Sequence, residues 1–222
     1  MSTLKEPYRI EGKKTIGLEL AEDLGWRVPD ALIYPTGGGT GLIGIWKAFQ
    51  ELQQMGLISG HRPRMYSVQP EGCAPIVRAF AAGEQFAEPW KNATTAAAGL
   101  RVPSALGDFL ILKCLRDSGG GAVAIPETEL AAAQRTVASL GGGYLSLETA
   151  AAMAAVPQLL ADGRLDPTDL VVVLDTGAGF KSEVARHVEF PAPVPNEPGL
   201  WDRVVHQLRR AARQSPTDPL RN

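Results

Sequence analysis

Ala31-Leu32-Ile33-Tyr34-Pro35-Thr36-Gly37-Gly38-Gly39-Thr40-Gly41-Leu42 is the stretch on which the fold turns. Residues 31–34 form an apolar run of strand length. A helical pattern begins near Leu42, with Leu42, Ile45, Trp46, Phe49 and Leu52 on one face. Between the two, glycines let the backbone turn tightly and present successive N–H groups with no Cβ in the way. The helix that follows leaves its first N–H groups unpaired and brings its positive dipole end to the same place. Thr40 adds a hydroxyl donor. Residues 36–41 are therefore read as a cradle for a phosphate-sized anion, against the competing reading of a tight turn that holds no ligand.

Outward from the loop, strands alternate with helices. Upstream, residues 11–24 read as a helix with Ile16, Leu20 and Leu24 recurring every four positions, and Gly25 is placed to end it. Downstream, strands are expected at 65–68, 122–125 and 170–174, and helices at 76–82, 107–117, 128–140 and 148–160. Thr128 is the expected N-cap of its helix, and Pro157 interrupts the last one near its end. Residues 84–100 are less regular and read as a surface excursion. Leu170-Val171-Val172-Val173-Leu174 is the most apolar strand, of the kind covered on both faces in parallel sheets. The fold class is α/β, an open and mostly parallel sheet with flanking helices. Beyond Phe190 a Pro-rich stretch leads to one amphipathic helix over 200–213. The expected division is a main domain over 1–186 and a linker, short helix and tail over 187–222.

Composition narrows the function classes. The 222 residues are 45% hydrophobic and 21% charged, with a formal charge of −2. No large basic surface for nucleic acid is expected from that balance. The basic stretch 203–213 reads as a solvated helix face. Cys73 and Cys114 lack the spacing of a zinc site or a disulfide framework. The first residues have no apolar signal core, and no run reaches the roughly 18 to 20 apolar residues of a membrane span. A cytoplasmic protein is expected.

The identity of the phosphate is a separate question. No Gly-Lys-[Ser/Thr] closes the loop, so the nucleotide P-loop fails. Gly39, Gly41 and Gly44 do fit GxGxxG, but the next strand ends at Gln69 rather than at an acidic residue, which disfavours a dinucleotide. A second glycine-bearing segment, Asp175-Thr176-Gly177-Ala178-Gly179, follows the Val-rich strand. Ligands of α/β sheets collect beyond the carboxyl ends of strands, so both segments are placed to line one crevice. Thr176 offers a neutral hydroxyl to a heteroaromatic nitrogen; its other reading is a helix N-cap.

These residues resemble a known family. Glu6-Pro7-Tyr8-Arg9-Ile10-Glu11-Gly12-Lys13-Lys14-Thr15 followed by the glycine loop is similar to threonine synthase. Val68-Gln69-Pro70-Glu71-Gly72-Cys73-Ala74-Pro75, Gly99-Leu100-Arg101-Val102-Pro103 and Asp175-Thr176-Gly177-Ala178-Gly179 continue the likeness in order, over about residues 4–183. The resemblance implies a fold-type II enzyme with pyridoxal 5'-phosphate as cofactor, an electron sink for carbanions. It implies conversion of O-phospho-L-homoserine and water into L-threonine and phosphate. It also implies that Gly37, Gly38, Gly39, Thr40 and Gly41 hold the cofactor phosphate and that Thr176 faces the pyridine nitrogen.

One departure is large. The family's lysine, which binds the cofactor aldehyde, sits in a Ser-x-Lys-Asp type motif well before the glycine loop. Lys5, Lys13, Lys14, Lys47, Lys91, Lys113 and Lys181 all lack that context, and Lys47 and Lys181 read as solvated surface residues. The asparagine-bearing segment that clasps the ring is also missing. The expectation is a truncated or split threonine synthase, inactive alone and paired with a lysine-bearing N-terminal half or with itself as a homo-oligomer. The alternatives are a non-catalytic phosphate-binding or interaction module and a relative such as threonine ammonia-lyase. Arg101 is a candidate for the phosphate of a phosphorylated amino-acid substrate, with a structural ion pair as the equal alternative. Glu71 and Cys73 are placed to border the crevice, Cys73 more commonly as a buried, inert thiol. His61, His187 and His206 are read as neither metal ligands nor bases.

Overall fold

The computed structural model describes residues 4–60, 62–181 and 199–214. The chain divides into two units, Met1–Glu183 and Val184–Asn222. In the first unit, four strands, β1 (Ala31–Pro35), β2 (Arg64–Pro70), β3 (Gly121–Ile125) and β4 (Val171–Val173), form one sheet in the order β3-β2-β1-β4. Every pairing is parallel, with Ile33 opposite Tyr66 on one side and Val173 on the other. The α/β reading holds.

Alternation along the strands fills two cores. Leu32 and Met65 face one cluster, packed by α1 (Tyr8–Asp23), α2 (Thr40–Gln54), α3 (Pro75–Ala81) and α4 (Asp108–Asp117). Ile33, Tyr66, Val68, Val123 and Ile125 face the other, covered by α5 (Glu127–Ser139) and α6 (Leu147–Ala161). Each fully buried large side chain, such as Phe49 or Leu112, stabilises by roughly 1.5 to 3 kcal/mol. Helices α1 and α2 approach closely because Gly17 and Gly44 face each other's partners. A Cβ at Gly44 would lie 2.7 Å from Lys13 Cβ, and one at Gly17 2.7 Å from Ala48 Cβ. The third glycine of the apparent GxGxxG pattern thus serves helix packing.

Some local expectations are corrected. Pro126, not Thr128, precedes α5, and Thr128 lies inside its first turn. Ser146 caps α6, its hydroxyl accepting from Thr149 N at 3.2 Å. The Val-rich strand is covered less than the sequence suggests. It is three residues long, sits at the sheet edge and is half-buried throughout, with Leu170 exposed. Polar groups fix its start: Leu170 N donates to Asp30 Oδ2 at 2.8 Å, and Arg64 bridges Asp169 at 2.5 Å. The Asp166 N–H and the Arg64 guanidinium together hold the Asp169 carboxyl below the usual carboxylate range.

In the second unit the described element is α7 (Leu200–Gln214), which carries exposed Trp201 and Val205. The expected boundary at 186/187 falls outside the described residues. No helix among the described residues is long and apolar enough to cross a membrane.

Candidate active site

The chain runs from β1 to β2 on one side of the sheet and returns from β3 to β4 on the other side of β1. Between β1 and β4 the winding therefore reverses, and a crevice opens beyond the carboxyl ends of the two strands. A cavity of about 430 Å³ lies there, bordered by Tyr34, Gly37, Gly38, Gly39 and Thr40 after β1 and by Thr176, Gly177 and Ala178 after β4. The two glycine segments do share one crevice.

The loop leaves a row of backbone N–H groups free. Gly39 sits at the N-cap of α2 with φ +71°, a left-handed conformation that glycine adopts without strain, and no side chain caps the helix. The first intrahelical bond runs from Ile43 N to Gly39 O at 3.0 Å. Among the described residues, the N–H groups of residues 37–41 donate to no protein acceptor. The first turn of the 15-residue α2 contains no acidic side chain to compete for them. Space behind the loop is already filled. A Cβ at Gly37 would lie 2.3 Å from the Gly99 carbonyl oxygen, and one at Gly39 2.2 Å from Ile111 Cδ1. Backbone of this shape requires glycine and leaves its amides without protein acceptors, the arrangement that phosphate-binding loops use.

The far wall is built from long-range contacts. Thr176 N donates to Thr149 Oγ1 at 3.1 Å, and Thr149 Oγ1 donates in turn to Asp175 Oδ1 at 2.8 Å. Thr176 caps no α-helix among the described residues, and it borders the cavity. Ser146 N donates to Gly177 O at 2.8 Å, fastening this segment to the start of α6. Ser146 and Glu148 also border the cavity. Glu148 Oε1 accepts from Gly99 N at 2.8 Å, which braces Gly99 against Gly37. From sequence, Ser146, Glu148, Gly99 and Tyr34 had no assigned place in the site. Only Ser146 carried a local signal, a serine just ahead of an apolar helix.

Other singled-out residues lie elsewhere. Gly41 is buried and outside the cavity lining; a Cβ there would lie 2.1 Å from the Tyr34 hydroxyl. Burial raises the Tyr34 phenol above its ordinary pKa. Arg101 is exposed and borders no part of the cavity. Cys73 is fully buried, as the commoner reading has it, and desolvation raises its thiol pKa. Glu71 is exposed in a short 3-10 turn. Lys47 pairs with Glu11 and Glu51 across α1 and α2. Lys181 is exposed, as expected, yet also borders the cavity. His206 is exposed on α7, and His61 and His187 fall outside the described residues.

A parallel sheet with a glycine-rich loop at its winding reversal narrows the class, and comparison with known proteins gives the family. Over residues 1–177 the chain matches the family described as pyridoxal-phosphate dependent enzyme, and it belongs to that family. The threonine synthase of Methanocaldococcus jannaschii is 32% identical over 204 residues, 91% of this chain and 50% of the relative. That of Methanosarcina acetivorans is 33% identical over 205 residues, 92% and 49% respectively. The chain spans about half the length of these relatives. Among solved structures, a fungal L-serine ammonia-lyase from Rhizomucor miehei aligns with a TM-score of 0.65 at 25% identity, covering 78% of this chain and 53% of that one. The structural neighbours are fold-type II pyridoxal-phosphate enzymes, the architecture that the sequence resemblance implied.

Proposed function

We propose that residues 37–41 hold the phosphate of pyridoxal 5'-phosphate in a threonine synthase-type site, with Thr176 facing the ring nitrogen. The reaction is conversion of O-phospho-L-homoserine and water into L-threonine and phosphate. One observation carries the reading: five consecutive N–H groups leading into α2 have no protein acceptor among the described residues, and the first four, of Gly37, Gly38, Gly39 and Thr40, belong to residues that border the cavity. When bound, the cofactor supplies an electron sink for carbanion chemistry. The residues of this chain bind and orient. The amides and the dipole end of α2 neutralise a dianion. The Thr176 hydroxyl meets a ring nitrogen without imposing a charge on it. Gly177, tied to Ser146, fixes the depth of that wall.

The lysine that binds the aldehyde is assigned to a segment other than these 222 residues, on a lysine-bearing half-enzyme; the other proposed partner, a second copy of this chain, covers exposed apolar surface but brings no such lysine. The half-covered edge strand β4 is the natural seam for such a partner, since its outer backbone groups have no strand beside them among the described residues. Residues 1–186 are accordingly the cofactor-binding part and 187–222 an appendage. A second reading, an ammonia-lyase, is favoured by the likeness to the Rhizomucor miehei enzyme; product analysis with O-phospho-L-homoserine and with L-threonine separates the two.

Binding is tested by thermal melting of the chain with pyridoxal 5'-phosphate and with pyridoxal. At a ligand concentration of 100 times Kd the phosphate form adds about 2.7 kcal/mol of stability, and pyridoxal adds far less. Equal stabilisation by both compounds contradicts the phosphate assignment.

A further inference from the structure

Gln69, next to last in β2, is hydrogen-bonded to the peptide that opens the glycine loop. Its side chain is fully buried, and both its polar atoms have partners. Nε2 donates to the Thr36 carbonyl oxygen at 3.2 Å, and Oε1 accepts from Ile76 N at 2.9 Å and Val77 N at 3.4 Å. Only one orientation of the amide satisfies both ends, because a carbonyl accepts and the helix N–H groups donate. Thr36 N donates to Val68 O at 2.8 Å, so both backbone polar groups of Thr36 are held by β2.

The consequence follows from the planarity of the peptide. The bond between Thr36 and Gly37 is trans, as no cis bond occurs among the described residues. In a trans peptide the C=O and the following N–H point in opposite directions. Drawing the Thr36 carbonyl toward Gln69 therefore turns the Gly37 N–H away from β2, and Gly37 borders the cavity. The other end of the amide is fixed by the start of α3, which makes Gln69 a strut between that helix and the loop.

We propose that Gln69 is a positioning residue for phosphate binding, acting through the Thr36–Gly37 peptide. The proposal rests on the assignment of residues 37–41 to a cofactor phosphate. Gln69→Glu keeps the shape and the acceptor for α3 but loses the donor while ionised. Two acceptors then face each other, and the Thr36–Gly37 peptide loses its anchor. Protonation restores an O–H donor, and burial shifts that protonation above the ordinary carboxylate range.

The test measures affinity of the 222-residue chain for pyridoxine 5'-phosphate and pyridoxine, which lack the aldehyde and do not condense with lysines. Measurements run from about pH 9 to about pH 6, spanning the range of buried glutamates. Wild type at each pH corrects for titration of the phosphate itself. Gln69→Glu is expected to bind the phosphate form roughly tenfold more weakly than wild type at the alkaline end, with the gap closing as pH falls. Gln69→Met, which removes the donor at every pH, stays weak throughout, and carries the test if the glutamate variant unfolds in circular dichroism. Wild-type affinity in Gln69→Met, or a gap for Gln69→Glu that does not change with pH in folded protein, overturns the proposal. If wild type itself prefers pyridoxine 5'-phosphate no more than pyridoxine, the site assignment falls, and the role of Gln69 with it.

Discussion

Gly39→Val is expected to abolish phosphate-dependent binding and to lower the melting temperature of the chain sharply. Two costs combine. A β-branched residue at φ +71° is strained by about 1 to 3 kcal/mol. Its Cβ would also fall 2.2 Å from Ile111 Cδ1 and 2.5 Å from Ile111 Cγ1, overpacking a core side chain at a cost of about 1 to 3 kcal/mol. Together these reach a large share of the roughly 5 to 15 kcal/mol that holds a domain folded. Relief requires the α2 N-terminus to shift, which breaks the line of free amides. Thermal melts with and without pyridoxal 5'-phosphate read both effects. A valine variant that melts like wild type and is still stabilised by the ligand contradicts the geometry assigned to the loop.

The second large effect concerns turnover. The chain alone is expected to release no phosphate from O-phospho-L-homoserine. Combination with the half of the Methanocaldococcus jannaschii threonine synthase that this chain does not match is expected to restore phosphate release, and removal of that half's aldehyde-binding lysine to lower it again by roughly 10² to 10⁴-fold, the share that a positioned acid–base group contributes. The expectation rests on the absence of a Ser-x-Lys-Asp lysine. Lys181 sharpens the test, because it borders the cavity while lying on an exposed turn that ends at the edge of the described unit. Borohydride reduction in the presence of pyridoxal 5'-phosphate, followed by peptide mapping, should give no stoichiometric label on the isolated chain. Full labelling of Lys181, or turnover by the chain alone, overturns the division of labour.

The elements legible in the sequence were those written in short-range pattern. The apolar run before the glycines, the periodic face of α2 and Gly25 just past α1 are local signals, and each sits where expected. The shared crevice was legible for a topological reason, since both glycine segments follow parallel strands. What stayed hidden depends on residues far apart in the chain. Glu148 reaches Gly99 across 49 positions, and Gln69 reaches Thr36 across 33. Gly41 belonged to the motif, but its place is set by the Tyr34 hydroxyl, which no spacing rule reports. The run 170–174 looked like a strand buried on both faces, yet hydrophobicity alone does not say whether the covering elements are present. At β4 the cover is partial, and the same residues read as a seam.

The most direct measurement is the amide NMR spectrum of the isotope-labelled chain titrated with pyridoxine 5'-phosphate. The amides of Gly37, Gly38, Gly39 and Thr40 should show the largest shifts, with Thr176 moving as the ring seats and pyridoxine leaving the loop amides unchanged. Binding of the phosphate compound with those four amides unmoved would contradict the account at its centre.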